Sequence, residues 1–210
     1  SWRVIGVDGG RVTPYTTDRI QVAVGQRYEL EVTHLDGDAE LTAHVLTVDA
    51  TNTVVEVDLP VYLLDVEPTG AVAPPALEWP APTWIQGTTI DQEVTIDFNG
   101  VNGPSGKIEW TLNGVADSML PLFTFDRGET IKMTLVNHAG PEHPFHLHGQ
   151  FFTIVDQGTP ETAQPGWKDT VLLPGNATVE IIASFDNPGH WMAHCHILEH
   201  AERGMMAEIY

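Results

Sequence analysis

The single cysteine of the chain, Cys195, lies between two histidines in the segment HWMAHCHILEHAERGMM, residues 190–206. His194 and His196 flank it directly, and His200 and Met205 follow within the same segment. A thiolate, several imidazoles and a thioether are ligands that together favour copper over hard cations. The segment therefore predicts a metal site.

A second histidine motif, EHPFHLHGQFF, occupies residues 142–152. Residues two apart on a β-strand point to the same side, so His146 and His148 are predicted to face one common point. The same rule pairs His194 with His196 and turns Cys195 between them to the opposite face. The two motifs thus predict two sites back to back, one made only of imidazoles and one containing the thiolate.

The thiolate site can be completed from the spacing of its ligands. Cys195, His200 and Met205 follow a C-x4-H-x4-M pattern, and two histidines, one cysteine and a weak axial methionine form the blue-copper arrangement. The second histidine is predicted to be His143, which is left over from the strand pair in its motif. Zinc also binds Cys and His, but it needs no Met and closes its structural sites with four ligands. We therefore expect copper.

The elements that position these motifs are predicted to be short β-strands. In ETIKMTLVNHAG, Ile131, Met133 and Leu135 alternate with polar residues, which is the period of a half-buried strand. The runs QEVTIDFNG, KIEWTLNG and ATVEIIASFDNPG are similar and end in turn-forming residues. Only residues 197–203 are expected to form a short helical turn. Many short strands separated by turns predict an all-β sandwich or barrel.

A proline-rich stretch at residues 67–87 divides the chain. It holds five prolines and little periodicity, which is typical of an extended linker. Residues 88–210 are long enough for a complete β-sandwich, whereas residues 1–66 fall short of the roughly 100 of a typical sandwich domain. Because the chain also opens directly in a strand, we expect the first domain to be incomplete; a small independent β domain is the alternative.

The charge of the chain limits its partners. Lys and Arg number 9 against 29 Asp and Glu, giving a formal net charge of −20. Such a surface repels phosphates, which argues against nucleic acid and anionic membranes as partners. No apolar run approaches the roughly 18 residues of a membrane span. One cysteine permits no internal disulfide.

The two histidine motifs, HPFHLHG and HCHILEHAERGMM, resemble the two C-terminal copper motifs of the laccase-like multicopper oxidases. The segments WKDTVLLPG and NPGHWMAHCH extend this resemblance over residues 88–210, as the last cupredoxin domain of the family. RVIGVDGG and VAVGQRYEL resemble, more weakly, the later part of its middle domain. The resemblance implies cupredoxin-like Greek-key β-sandwich domains, with residues 1–66 as the incomplete one.

The resemblance also implies a role for each ligand. Type-1 copper, which takes electrons from substrate, would be bound by His143, Cys195, His200 and Met205. Type-2 copper would be bound by His146, and the type-3 pair by His148, His194 and His196. Cys195 would then connect the two sites as an electron relay together with His194 and His196. The family uses these coppers to reduce dioxygen to water with electrons from phenols, aromatic amines or metal ions.

The sequence departs from the family pattern in two respects. The family's trinuclear cluster takes eight histidines, four of them from two His-x-His motifs in an N-terminal domain, and those motifs are absent from these 210 residues. Ala201 stands where many bacterial relatives have a glutamate that helps to deliver protons. Met206 is a second candidate for the axial ligand, although the family spacing favours Met205. The remaining histidines are expected on the surface or in hydrogen bonds: His34, His44, His138 and His190.

The leading hypothesis is the C-terminal part of a laccase-like multicopper oxidase, inactive as the isolated chain. Its expected partner is the missing N-terminal cupredoxin region, and its expected location is periplasmic or secreted, by family resemblance. The alternative is a stand-alone blue-copper electron-transfer or copper-binding protein, which would have no use for the other imidazoles. A small two-domain laccase would need His-x-His motifs that residues 1–87 lack. A copper nitrite reductase would not need a histidine on each side of its cysteine.

Overall fold

A computed structural model describes residues 2–31, 39–48, 53–64, 88–116, 121–155 and 166–210. Nearly all regular structure in these ranges is β-strand, so the predicted all-β class is confirmed. The helical turn expected at residues 197–203 is the five-residue helix α1 (Leu198–Glu202). Across the described ranges, no helix has the length and apolar character needed to cross a membrane.

The chain divides into two compact units, Ser1–Leu30 together with Leu77–Tyr210, and Glu31–Ala76. The smaller unit is described as an antiparallel hairpin of β4 (Ala39–Val48) and β5 (Val54–Leu64). The division into residues 1–66, 67–87 and 88–210 stays a prediction. The predicted linker at residues 67–87 lies outside the described residues.

The larger unit begins with a three-stranded sheet in the order β2-β1-β3. Its strands are β1 (Trp2–Val7), β2 (Gly10–Thr17) and β3 (Tyr28–Glu31). Val4, Val7 and Val12 are fully buried and form a small core of their own. The turn between β2 and β3 contains residues 23–27, which lie close to the histidine motifs described below.

Two five-stranded sheets form the sandwich of the C-terminal region, in the orders β12-β10-β14-β15-β8 and β11-β13-β9-β6-β7. Neighbours that are distant in sequence, such as β6 beside β9, require chain crossings between the sheets. The strands are β6 (Gln92–Asn102), β7 (Ile108–Leu112), β8 (Pro121–Phe123), β9 (Thr130–Asn137), β10 (His143–Leu147), β11 (Phe152–Ile154), β12 (Thr170–Leu173), β13 (Thr178–Ser184), β14 (Trp191–Cys195) and β15 (Met206–Ile209).

The core lies between these two sheets and follows the alternation in the sequence. On β9, Ile131, Met133 and Leu135 are all fully buried, as predicted, while Lys132 points outward and pairs with Glu180 at 2.7 Å. Burying an aliphatic side chain of this size stabilises the fold by roughly 1.5–3 kcal/mol. The alternation therefore fixes which face of each strand is turned to the core.

The two histidine motifs meet because β10 and β14 are adjacent antiparallel strands. Their register places Phe145 opposite Cys195 and His146 opposite His194. Residues directly opposite one another in an antiparallel pair point to the same face. His146 and His194 therefore share the outer face, and Phe145 and Cys195 share the core face.

Candidate metal centre

The alternation along β14 separates two groups of ligand atoms. The side chain of Cys195 is fully buried and turned to the core, whereas His194 and His196 are only partly buried on the other face. Among the described residues, the ligand atoms of His143, Cys195 and His200 lie within 4.8 Å of one another, and so do those of His146, His194 and His196. The thiolate-containing group and the imidazole group therefore lie back to back on opposite faces of β14, as the alternation predicted.

The thiolate group is compact. Cys195 Sγ lies 3.8 Å from His143 Nδ1 and 3.7 Å from His200 Nδ1, and the two Nδ1 atoms are 3.1 Å apart. His143 comes from β10 and His200 from α1, whose residue Ala201 donates its N–H to the carbonyl of Ile197. Ligands bonded to one transition-metal ion at about 2.0–2.3 Å lie roughly 3–4 Å apart, so the three atoms fit a single ion.

Burial keeps the two imidazoles in the neutral form that binds metals, but it disfavours the thiolate of Cys195. It lowers the pKa of His143 to about 4, with a second contribution from neighbouring His200, and it also lowers the pKa of His200. Burial raises the pKa of Cys195 to about 11, although the N–H of Ile197 acts in the opposite direction. Neutral imidazoles are the metal-binding form, and a buried thiol gives up its proton when a metal replaces it.

The register of β14 and β15 distinguishes the two candidate methionines. Met206 lies opposite His194, so its side chain shares the face of the imidazole group. Met205, the residue before it, is fully buried on the core side, and its carbonyl accepts the N–H of Cys195 at 3.2 Å. The N–H of Met205 donates in turn to the carbonyl of His200. Met205 is thus joined through the backbone to both neighbouring ligands.

Trp110 covers the thiolate group, a contact that the sequence did not indicate. Its ring lies 4.1 Å from the ring of His200 and 5.2 Å from that of His143, centroid to centroid. The side chain is 6% exposed, so it keeps water away from both imidazoles. Nothing in the spacing of the six tryptophans distinguished this one from an ordinary core residue.

The imidazole group is held on the outer faces of β10 and β14. His148 Nε2 and His194 Nε2 are 3.0 Å apart, and the ring of His146 lies 4.7 Å from that of His148 and from that of His196. Burial is the main cause of lowered pKa values at His148, His194 and His196, and it brings His196 to about 4. These three imidazoles are therefore uncharged at neutral pH.

Hydrogen bonds to carbonyl groups fix the protons of two of these rings. His146 Nδ1 donates to the carbonyl of Asp169 at 2.8 Å, and His194 Nδ1 donates to that of Cys195 at 2.9 Å. Because a carbonyl oxygen only accepts, each ring carries a proton on Nδ1, so Nε2 is the nitrogen left to bind a metal. This is the tautomer that a metal bound through Nε2 requires.

Asp169, which orients His146, is itself held as a carboxylate. Burial alone would raise the pKa of Asp169, but hydrogen bonds from His146, Arg27 and Thr170 together bring it well below its usual value. Asp169 belongs to the motif WKDTVLLPG, which formed part of the family resemblance. The spacing of that motif did not indicate that Asp169 contacts the imidazole group. Asp169 is therefore a neighbour of the group rather than one of its ligands.

The remaining histidines lie apart from both groups where the structure describes them. His138 Nε2 is 2.7 Å from Asp97 Oδ1, and the ring of His190 stacks on Tyr210. His44 Nδ1 lies 3.3 Å from Glu56 Oε1 and also contacts Asp58 across the β4–β5 hairpin; all three side chains are exposed, and exposed acidic groups of this kind are common without a metal. His34 lies outside the described residues.

Comparison with known proteins gives matches along the chain. Laccase-1 of Botryotinia fuckeliana is 28% identical over 253 aligned residues, covering 98% of this chain and 44% of that protein. Multicopper oxidase MmcO of Mycobacterium tuberculosis is 29% identical over 224 aligned residues, covering 100% of this chain and 42% of that protein. The crystal structure of McoA multicopper oxidase from Aquifex aeolicus matches with a TM-score of 0.75 and 26% sequence identity. The match covers 99% of this chain and 49% of that one. The chain thus spans less than half the length of these relatives.

Two family models, both described as multicopper oxidase, match residues 87–210 and residues 1–59. The first covers more than half of the 210 residues and includes both histidine motifs. The second covers the segments RVIGVDGG and VAVGQRYEL, which carried the weaker part of the resemblance. The chain therefore belongs to the multicopper oxidase family, whose cofactor is copper.

Proposed function

We propose that this chain carries the substrate-oxidising copper site and half of the dioxygen-reducing site of a laccase-like multicopper oxidase. The observation that supports this most directly is the position of Cys195. Its side chain belongs to the thiolate group, while its neighbours His194 and His196 belong to the imidazole group. A covalent path of a few bonds through one strand therefore connects the two groups, which is the connection that electron relay between them needs.

We assign the thiolate group to type-1 copper. His143, Cys195 and His200 would supply three close ligands, and the backbone contacts of Met205 with Cys195 and His200 support it as the fourth. We assign His146 to type-2 copper, and His148, His194 and His196 to the type-3 pair. Copper bound in these groups supplies one-electron redox chemistry that couples oxidation of a reducing substrate to reduction of dioxygen to water.

The chain's own residues prepare both groups for this role. Burial keeps the imidazoles of His143 and His200 neutral, and Trp110 excludes water from their rings. On the outer face, the carbonyl groups of Asp169 and Cys195 hold the protons of His146 and His194 on Nδ1. In both rings the nitrogen left to act as a ligand is therefore Nε2.

We further propose that an N-terminal cupredoxin domain supplies the other imidazoles of the cluster. The family pattern takes eight histidines, and four are accounted for by His146, His148, His194 and His196. The reducing substrate is a phenol, an aromatic amine or a metal ion, and the location is extracytoplasmic; both rest on the family alone. Ala201 has no ionisable side chain, so it cannot take the proton-delivering role of the glutamate that many bacterial relatives have at this position.

A stand-alone blue-copper carrier is a weaker candidate. It would need only the thiolate group, because one redox-active metal suffices for electron transfer. It leaves the four imidazoles on the outer face without a role, although two of them have their tautomer fixed by carbonyl groups. Converging imidazoles whose Nδ1 protons are held by carbonyl groups are the expected form of a second metal site.

The test is a copper titration of the purified chain, followed by absorption spectroscopy. The unmodified chain should develop an intense blue band as the thiolate group fills. Cys195→Ser should abolish the band because a hydroxyl cannot replace the soft thiolate. His138→Gln, which removes an exposed imidazole outside both groups, should leave it unchanged. A blue band that survives in Cys195→Ser would refute the type-1 assignment.

A further inference from the structure

Three consecutive residues of the N-terminal segment contact the imidazole group or its support. They are Gly25, Gln26 and Arg27 in the turn before β3, part of the segment VAVGQRYEL. Arg27 reaches Asp169 across 142 residues of sequence. None of the three is a ligand. We propose that the Gly25–Arg27 turn positions the imidazole group, holding His146 through Asp169 and leaving room for His196 at Gly25.

The contact of Arg27 with Asp169 is bidentate. Its Nη1 and Nη2 atoms each donate to one carboxylate oxygen of Asp169 at 2.8 Å. A planar guanidinium fork fixes the orientation of a carboxylate as well as its charge, which a lysine cannot do. Thr170 Oγ1 donates to the same carboxylate at 2.8 Å. Asp169, whose backbone carbonyl accepts the hydrogen bond from His146, therefore has its side chain held in place by Arg27 and Thr170.

Two further contacts hold the backbone next to Asp169. Gln26 Nε2 donates to the carbonyl of Thr170 at 3.2 Å. The buried carboxylate of Asp8 accepts the N–H of Arg27 at 3.0 Å and those of Asp169 and Thr170 at 3.4 and 3.3 Å. Asp8 thus joins the turn to the first residue of β12, so that RVIGVDGG, VAVGQRYEL and WKDTVLLPG meet behind one histidine.

Gly25 has a separate effect on His196. Its φ angle is +91°, a conformation that residues with a Cβ rarely adopt. A Cβ at this position would also lie 2.3 Å from Cδ2 and 2.6 Å from Nε2 of His196. Such distances are far inside van der Waals contact, so the ring would have to move. Glycine therefore lets the imidazole of His196 keep the position in which one of its ring nitrogens lies within 4.8 Å of ligand atoms of His146 and His194.

The inference deepens the proposed function and rests on it for the identity of the metal. Groups that orient a ligand typically change metal affinity by about 10–100-fold when they are removed. We expect Arg27→Gln and Gly25→Ala each to weaken Cu²⁺ binding at the imidazole group about tenfold or more. The Cys195-dependent blue band should titrate as in the unmodified chain, because neither residue contacts the thiolate group.

The experiment is a Cu²⁺ titration of the 210-residue chain, reading the blue band and the electron paramagnetic resonance signal of the non-blue copper separately. Arg127→Gln, an exposed arginine on the β8–β9 turn, is the control for Arg27→Gln. Gly128→Ala is the control for Gly25→Ala, because Gly128 has the same φ of +91° but a Cβ there would meet no atom within 4 Å. Arg27→Lys keeps the charge without the fork and should give an intermediate loss.

A second readout needs no metal. Long-range proton–nitrogen spectra of the metal-free chain report which ring nitrogen carries the proton. His146 should be protonated on Nδ1 in the unmodified chain and in Arg127→Gln, and should populate both tautomers in Arg27→Gln. The ring signals of His196 should shift in Gly25→Ala and stay in place in Gly128→Ala.

The outcomes separate the inference from the proposed function. If both copper signals weaken together, or if neither signal nor the imidazole spectra change in Arg27→Gln and Gly25→Ala, the positioning role is wrong. If the unmodified chain forms no blue centre, the proposed function fails. In that case the imidazole spectra alone decide the positioning role: shifts confined to the two variants support it, and unchanged spectra overturn it.

Discussion

Cys195 shows how burial sets the charge of a single side chain. Burial raises its pKa to about 11, so without a metal the thiol keeps its proton at neutral pH. The imidazoles beside it are neutral for the same reason, since burial disfavours their charged form. The three side chains therefore carry no net charge, and a cation that replaced the thiol proton would compensate the thiolate.

Met205 provides a test at the same scale. In Met205→Leu the blue band should persist, and the reduction potential of the bound copper should rise. The thioether is a weak axial donor that stabilises the oxidised ion, so its removal favours the reduced one. Redox titration of the blue band measures the shift. Met206→Leu is the control, because Met206 lies on the face of His194; a shift seen only in that variant would identify the other methionine as the ligand.

At the scale of elements, β10 and β14 place both groups, and the packing beneath them keeps the register. Phe98 of β6, in the second sheet, is fully buried and packs against these motifs. Its ring lies 5.9 Å from that of His143 and 5.6 Å from that of Phe145, the latter edge to face. Because Phe145 lies opposite Cys195, this aromatic contact supports the strand pair from the core side.

Phe98→Ala should therefore destabilise the chain by about 3–5 kcal/mol, the usual cost of removing a buried phenylalanine ring. Urea unfolding of the metal-free chain measures the free energy of unfolding. Phe151→Ala is the matched control: that side chain is 46% exposed, so its loss should cost much less. Equal losses in the two variants would contradict the assigned role of Phe98 in the core.

At the scale of the whole molecule, we propose that the imidazole group is one side of a larger site. His146, His148, His194 and His196 supply half of the histidines in the family's cluster pattern. His44, His138 and His190 are exposed and contact carboxylates or an aromatic ring instead. Copies of the same chain would all lack the same His-x-His motifs, so self-association offers no replacement.

The isolated chain, fully loaded with copper, should therefore show no sustained four-electron reduction of dioxygen. Metal affinity and geometry both depend on the full ligand set, which these residues cannot provide. Oxygen uptake with a reducing donor is the measurement, made with and without an N-terminal cupredoxin domain added in trans. Sustained turnover by the chain alone would mean that one of the four other histidines, His34, His44, His138 or His190, is a ligand.

Much of this protein can be derived from local sequence patterns. The alternation at Ile131, Met133 and Leu135 predicted a strand with one buried face, and those side chains are buried. The same period predicted that His194 and His196 point away from Cys195. Both inferences succeed because side chains alternate between the two faces of any β-strand. This alternation follows from the local backbone geometry and does not depend on distant residues.

The contacts between distant segments were decided only by tertiary structure. The sequence left two adjacent methionines as candidates, and the register of β15 against β14 places Met206 opposite His194. Nor did it relate Arg27 to Asp169 or Gly25 to His196, or single out Trp110 beside His200. The sequence by itself thus determined the types of ligand and the faces they occupy. Which side chains surround them depended on strand order and register, which are set by the burial of the whole core rather than by any local pattern.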